Sequence, residues 1–187
     1  MKLTRYRLLA CLGASLALAA CGSGKHPYDA TAENNGYYVK AGGIFYQLQI
    51  SRELNQYAVE DHQYLVGLPA GSTRPGKDQL WYGVFLWAKN YGRGTTTTAG
   101  SFDIVDTQGT RYYPVALDTS INQYAWSPQP LGPLGTDPGP NTTAPSGPTQ
   151  GALLLFKLKT SVYDNRPLTL EIHPQGTAQT STISLDL

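Results

Sequence analysis

Three observations make an all-β sandwich the fold class that this chain predicts. Short segments rich in Tyr, Val, Ile, Leu, Phe, Trp and Thr recur along it, separated by Gly, Pro, Asn and Asp, which is the punctuation of strands and turns. Several of these segments alternate apolar and polar residues with a period of two, as a half-buried sheet requires. No stretch sustains the 3.6-residue period of an amphipathic helix.

Taken in order, the candidate strands are Tyr37 to Lys40, Ile44 to Ile50, Leu80 to Asn90, Ser101 to Asp106, Arg111 to Leu117, Gly151 to Thr160, Leu168 to His173 and Thr180 to Leu187. The first two are short runs of Tyr, Val, Ile and Phe. In the third, Trp81-Tyr-Gly-Val-Phe-Leu-Trp-Ala is apolar on both faces, the pattern of a central strand covered on each side, and Trp81 and Trp87 share strand parity. The turn Asp106-Thr-Gln-Gly109 makes Ser101 to Leu117 a hairpin, with Gly109 supplying the positive φ of a short loop. Ala152-Leu-Leu-Leu-Phe begins apolar on both faces and then alternates through Lys157 and Lys159, so it is placed centrally with its far end exposed. In Leu168 to His173 the leucines and Ile172 share one face, with Thr169, Glu171 and His173 on the other; Ile183-Ser-Leu-Asp-Leu alternates in the same way. Glu53 to Gly71 is read as loop, because Leu54, Tyr57 and Ala58 are too few to require a helix. Ser127 to Thr149 holds seven prolines and four glycines, a composition that strand and helix interiors do not tolerate. With strands on both sides, it is read as a Pro/Gly-rich surface loop inside one domain. Eight strands and no helix then pack as two sheets about 10 Å apart.

The first twenty residues form an export signal. Lys2, Arg5 and Arg7 precede a thirteen-residue apolar run from Leu8 to Ala20, shorter than the ~20 residues of a spanning helix. Leu18-Ala19-Ala20-Cys21 resembles a lipobox, which implies cleavage after Ala20 and a diacylglyceryl group on Cys21. One acyl chain binds a membrane only marginally, but two or three hold it firmly. Residues 1–20 are therefore read as signal peptide, 21–36 as a lipidated flexible tether and 37–187 as the sandwich. Cleavage leaves 167 of the 187 residues; three of the 14 basic residues depart, so 11 remain against 13 acidic ones, a formal net of −2. That balance gives no electrostatic footprint for nucleic acid. Of the two cysteines, Cys11 departs with the signal and Cys21 is lipidated, so the domain must be held by burial without a disulfide.

Leu80 to Asn90, Phe102-Asp-Ile-Val-Asp-Thr-Gln-Gly-Thr-Arg-Tyr-Tyr-Pro114 and Gly147 to Leu158 together resemble a group of actinobacterial lipoproteins related to the immunoglobulin-like family called domain of unknown function 4352. The shared pattern is a strand ending in Asn, a hairpin with Asp-x-x-Gly-x-x-Tyr, and a Gly-rich loop leading into a long apolar strand. The resemblance covers roughly Tyr64 to Pro174. It implies an immunoglobulin-like sandwich and no enzyme activity. It also points to the outer face of a plasma membrane, whereas Gly22 after the lipidated cysteine would direct a Gram-negative lipoprotein to the outer membrane.

Chemistry-bearing motifs are sparse. No Gly-x-Ser-x-Gly occurs, and no catalytic residue or cofactor site is assigned. Gly92-Arg-Gly94 lacks the Lys-Ser/Thr of a phosphate loop. Glu60-Asp61-His62 is read as a solvated loop, since no second histidine lies at ligand spacing. Asp103, Asp106 and Asp118 invite calcium, but turn chemistry around the hairpin accounts for Asp103 and Asp106, so no metal is assigned. The aromatic residues remain. Tyr112, Tyr113, Tyr124 and Trp126, beside the Pro-rich loop, are the candidate binding residues, with core packing the equal alternative. The functional expectation is a non-enzymatic module, anchored to the membrane through diacylglyceryl-Cys21, that presents loops to a protein or cell-wall partner. The alternative is a carbohydrate or small-ligand binder using exposed Trp and Tyr.

Overall fold

The computed structural model of the chain describes residues 31–32 and 38–185. The residues read as signal peptide, Cys21 and most of those read as tether lie outside them. In chain order the strands are β1 (Thr31–Ala32), β2 (Tyr38–Ala41), β3 (Ile44–Leu54), β4 (Gln79–Lys89), β5 (Thr96–Thr97), β6 (Ser101–Val105), β7 (Arg111–Tyr112), β8 (Pro130–Leu131), β9 (Thr136–Asp137), β10 (Ala152–Lys159), β11 (Leu168–His173) and β12 (Ser181–Leu185). A single helical turn, α1 (Val59–His62), and a 3₁₀ turn at Thr160–Tyr163 complete the described elements.

Two sheets form a sandwich, the fold class that the alternation predicts. One runs β1-β12-β11-β6-β7 and the other β10-β4-β3-β2, with β9 beside the end of β4; β5 and β8 make a separate two-stranded ribbon. All pairings are antiparallel except β1 with β12. Alternation sets which side chains meet. Tyr46 and Leu48 of β3, Tyr82, Val84 and Leu86 of β4, Ile104 of β6, and Leu170 and Ile172 of β11 are fully buried in the core between the sheets. Outside the second sheet lies another apolar cluster, where Leu54, Trp81, Phe85, Leu153 and Leu155 meet Tyr64, Tyr124 and Ala144. The segments carrying Tyr64, Tyr124 and Ala144 thus cover the β10-β4 part of that sheet as a third layer, which is why β4 and β10 are apolar on both faces.

The structure moves several sequence-derived boundaries. Arg111 to Leu117 is not one strand: pairing with β6 stops at Tyr112, and Pro114, which has no N–H to continue a ladder, bridges instead to Phe156 on β10. The segment thereby crosses between the sheets. β10 is lateral, not central, yet its outer edge is satisfied: Leu155 O accepts from Val115 N at 2.7 Å, Leu153 O from Trp126 N at 2.9 Å, and Leu153 N donates to Tyr124 O at 2.6 Å. Within the segment read as loop, Leu54 ends β3 and Val59–His62 forms a helical turn. Arg52 organises that turn by gripping Asp61 with both terminal nitrogens, at 2.6 and 3.1 Å. The Pro/Gly-rich segment 127–149 contains β8 and β9, and it buries Leu131, Asp137 and Ala144. It lies partly inside the fold. Thr31 and Ala32, read as tether, pair with Thr182 and Ile183; backbone pairing needs no apolar side chain, so the composition carried no sign of it.

Candidate functional site

The segment that leaves β7 and the one that precedes β8 both bond to the outer edge of β10, through Val115 and Trp126, and both line a groove of about 410 Å³. Its lining includes Tyr113, Pro114 and Val115 from the first segment, Trp126 and Pro128 from the second, and the buried Leu154 and Phe102. Pro114 is fixed by its bridge to Phe156, so the residue before it is turned outward, and Tyr113 is 68% exposed. Trp126 is oriented by its indole N–H, which donates to Ala99 O at 2.9 Å, and its ring meets Phe102 edge to face at 5.3 Å. The groove therefore offers one exposed phenol, one partly buried indole edge and two prolines, with polar atoms from Ser101 and Thr119. Such a surface suits an extended chain that packs flat against rings and exchanges a few hydrogen bonds.

The four predicted aromatic residues separate into two pairs. Tyr113 and Trp126 are brought together at the groove. Tyr112, paired opposite Ile104, packs against the core; its phenol lies 3.4 Å from Asp106 and is pushed up by burial and by that carboxylate. Tyr124 is buried in the outer cluster, edge-on to Tyr64 at 4.9 Å, with its hydroxyl donating to Gln63 at 2.8 Å. Cys21 lies outside the described residues.

Sequence reasoning missed a second cluster, on the outward face of the other sheet. Asp103 of β6 faces Glu171 of β11 in register, and His173 faces Ser101. Arg111 Nη1 donates to Asp103 and, at 2.9 Å, to Glu171, while His173 Nε2 contacts the other Asp103 oxygen. The donor atoms of Asp103, Glu171 and His173 lie within 4.8 Å of one another, a spacing at which a cation could be held. That cation is the guanidinium: hydrogen bonds to Glu171 and Asp103 drive the Arg111 pKa upward. The turn chemistry assigned to Asp103 belongs to Asp106 alone. Burial would raise Asp106, but the N–H groups of Thr110 and Gln108 outweigh it and hold the carboxyl below its ordinary range. Glu60, Asp61 and His62 diverge: Asp61 is buried on Arg52, and His62 is exposed beside a second hollow of about 370 Å³ next to Trp81.

A buried asparagine fixes the loops beyond β4. Asn90 donates to Gly94 O at 2.7 Å and Leu131 O at 2.8 Å, and accepts from Gly92 N at 2.8 Å. Its backbone O accepts from Leu134, which is held at φ 60°, a left-handed geometry unusual for a branched residue. Asn90 thus fastens β8 to the end of β4, next to the segment that leads back to Trp126.

No known protein family matches the chain, and no curated protein matches it. Solved structures do. The yjhA protein of Bacillus subtilis superposes with a TM-score of 0.54 at 12% identity, covering 82% of this chain and 99% of its own. The ycdA protein of Bacillus subtilis, a lipoprotein by inference, matches at 13% identity and TM-score 0.49 over 80% of this chain and 38% of its own. An uncharacterised β-sandwich protein of Clostridium difficile matches at 12% identity and TM-score 0.43, covering 83% and 95%. At such identities the likeness to yjhA speaks for the fold alone.

Proposed function

We propose that this chain is a non-enzymatic, extracytoplasmic interaction module, tied to a membrane through a lipidated Cys21 and presenting the Tyr113-Trp126 groove to a protein or cell-wall partner. The observation that carries the reading is the groove itself: an exposed tyrosine, an oriented tryptophan and two prolines line the same hollow. The basic start, apolar run and Leu-Ala-Ala-Cys21 support the anchor, and the resemblance to lipoproteins of the immunoglobulin-like type belongs to the same proposal. Among the described residues no helix is long and apolar enough to cross a membrane.

Two experiments test it. Intact mass spectrometry of membrane-extracted protein should show a diacylglyceryl adduct on Cys21; an unmodified thiol there overturns the anchor. Purified protein should capture a partner from cell-envelope extracts, and Tyr113→Ala should abolish capture without changing the thermal midpoint. Tyr113 is mostly exposed, so its loss leaves the core intact. Retention on cell-wall glycan alone would favour the carbohydrate-binding reading, for which the exposed phenol of Tyr113 is the specific observation. Unchanged capture by the variant refutes the groove.

A further inference from the structure

The third layer covers only part of the outer face of the β10-β4-β3-β2 sheet. Towards β2, the outward positions are Tyr38 and Lys40 on β2, Phe45 on β3, and Trp87 and Lys89 on β4, with Tyr91 just beyond. Register places Lys40 and Lys89 on either side of Phe45. Lys40 Nζ sits 5.7 Å from the Phe45 ring centroid, Lys89 Nζ 4.7 Å from that of Tyr91, and Phe45 meets Tyr91 edge to face at 5.2 Å. Tyr91 is 51% exposed and Tyr38 is 38% exposed. None of the outward positions on these strands is acidic, although the mature chain as a whole carries net negative charge. Ammonium groups stacked on rings, with their stems over an apolar patch, suit an interface that is anionic outside and apolar within.

Cys21 precedes β1 by ten residues, which bounds their separation at about 35 Å by chain length alone. β1 contacts β2, the strand that bears Tyr38 and Lys40. We propose that the Tyr38-Lys40-Phe45-Trp87-Lys89-Tyr91 face docks the domain on anionic lipid headgroups of the membrane that holds Cys21. The inference rests on the lipid-anchored reading and extends it. Lysines add electrostatic attraction to anionic lipid, and Trp and Tyr settle at the headgroup boundary. Because β2 and β10 are opposite ends of the sheet, docking through β2 leaves the groove beside β10 clear for a partner.

The test uses the full chain with vesicles of phosphatidylcholine, with and without phosphatidylglycerol, their acyl chains brominated to quench tryptophan. Trp81 is buried and Trp126 is turned onto Phe102, so quenching should come from Trp87, appear with phosphatidylglycerol, and vanish in Trp87→Phe. The double change Lys40→Gln with Lys89→Gln, at one exposed and one half-buried position, should shift the docked-to-undocked ratio about thirtyfold, from about 1 kcal/mol per lysine, and lower the quenched fraction accordingly. Cys21→Ala separates the two readings: quenching at raised lipid concentration should persist without the lipid, whereas failure of lipidation alone appears only in the mass of Cys21. Vesicle-bound wild-type chain with unquenched Trp87, equal quenching without phosphatidylglycerol, or binding only to a soluble polyanion would each overturn the docking face.

Discussion

Asp137 is the residue whose substitution tests the energetics most sharply. Its backbone pairs with Ala88 at the end of β4, its side chain is 4% exposed, and its Oδ2 accepts no hydrogen bond among the described residues. Burial pushes the carboxyl up to about 6, against which only the Gln129 side chain acts. The folded state therefore holds this proton more tightly than the unfolded chain, whose carboxyl titrates at its ordinary value. Below that value both states are protonated and no stability is lost. As pH rises, the unfolded chain ionises first and stability falls, levelling off once the folded carboxyl has also ionised above about 6. A rise from 3.8 to about 6 converts to ~3 kcal/mol at about 1.4 kcal/mol per unit. Asp137→Asn removes the titration but leaves an amide N–H without an acceptor, a pH-independent cost of about 1–3 kcal/mol. The informative quantity is thus the difference between the two proteins as a function of pH. Urea unfolding near pH 3.5 and pH 7.5 should show the variant gaining ~3 kcal/mol on wild type across that interval, roughly 6–12 °C in midpoint for a domain of this size. Asp61 and Asp106, whose carboxyls are held low, give the opposite slope in both proteins and cancel. Parallel pH profiles for the two proteins would refute the reasoning.

Asn90→Ala should destabilise by ~3 kcal/mol in urea titration, because the Leu131 and Gly94 carbonyls lose their donor inside the fold. Asp103→Asn should lower the thermal midpoint more than Glu171→Gln, since Asp103 is buried and holds both Arg111 and His173 while Glu171 is partly exposed; equal effects in calorimetry would show that the cluster is not centred on Asp103. Chelator and reductant should leave that midpoint unchanged, because Arg111 already occupies the carboxylate cluster; a drop with chelator would reveal a structural ion.

How much of this was legible depended on the range of the interactions. Period-two alternation is local, so the bounds Leu168–His173 follow from it to the residue, and the double-faced apolarity of Trp81 to Phe85 matches cover on both sides, while at Trp87 the outer face is left half-open. Register is not local. Glu171 and His173 were seen to share a polar face, but nothing in their neighbourhood said that Asp103 and Arg111 would stand opposite, so the ion cluster escaped notice. The same limit misplaced β10: double-faced apolarity signals cover on each face, and it cannot tell a central strand from a lateral one whose edge is bonded by Val115, Tyr124 and Trp126. Among the candidate aromatics, proximity to the Pro-rich segment could not sort Tyr113 from Tyr112. Adjacent strand residues face opposite ways, and the sheet crossing at Pro114 decides which one reaches the groove.

Composition misled most over 127–149. Seven prolines suggest a segment that could be exchanged for any flexible linker, because closure entropy grows slowly with length. The structure predicts otherwise. Leu131 is 5% exposed in the main core, Ala144 is 2% exposed in the outer cluster, and Gln129 O accepts from Thr98 N at 3.0 Å. A Gly/Ser replacement of the whole segment removes both side-chain anchors, and the carbonyl at position 131 that Asn90 bonds is then no longer held in place by a buried leucine. Leu131→Ala alone should cost about 2–5 kcal/mol, the range for buried leucine truncation. By contrast, 139–143 is mostly exposed and, apart from the Thr143 hydroxyl on Gln123, hydrogen-bonds within its own turn, so a Gly/Ser swap confined to those residues should leave the midpoint within about 2 °C, as surface changes stay within ~0.5 kcal/mol. Limited proteolysis should nick 139–143 before any strand yields. If the full swap and the short swap unfold at the same urea concentration, Leu131 and Ala144 do not anchor the segment, and its burial contributes nothing to the stability of the fold.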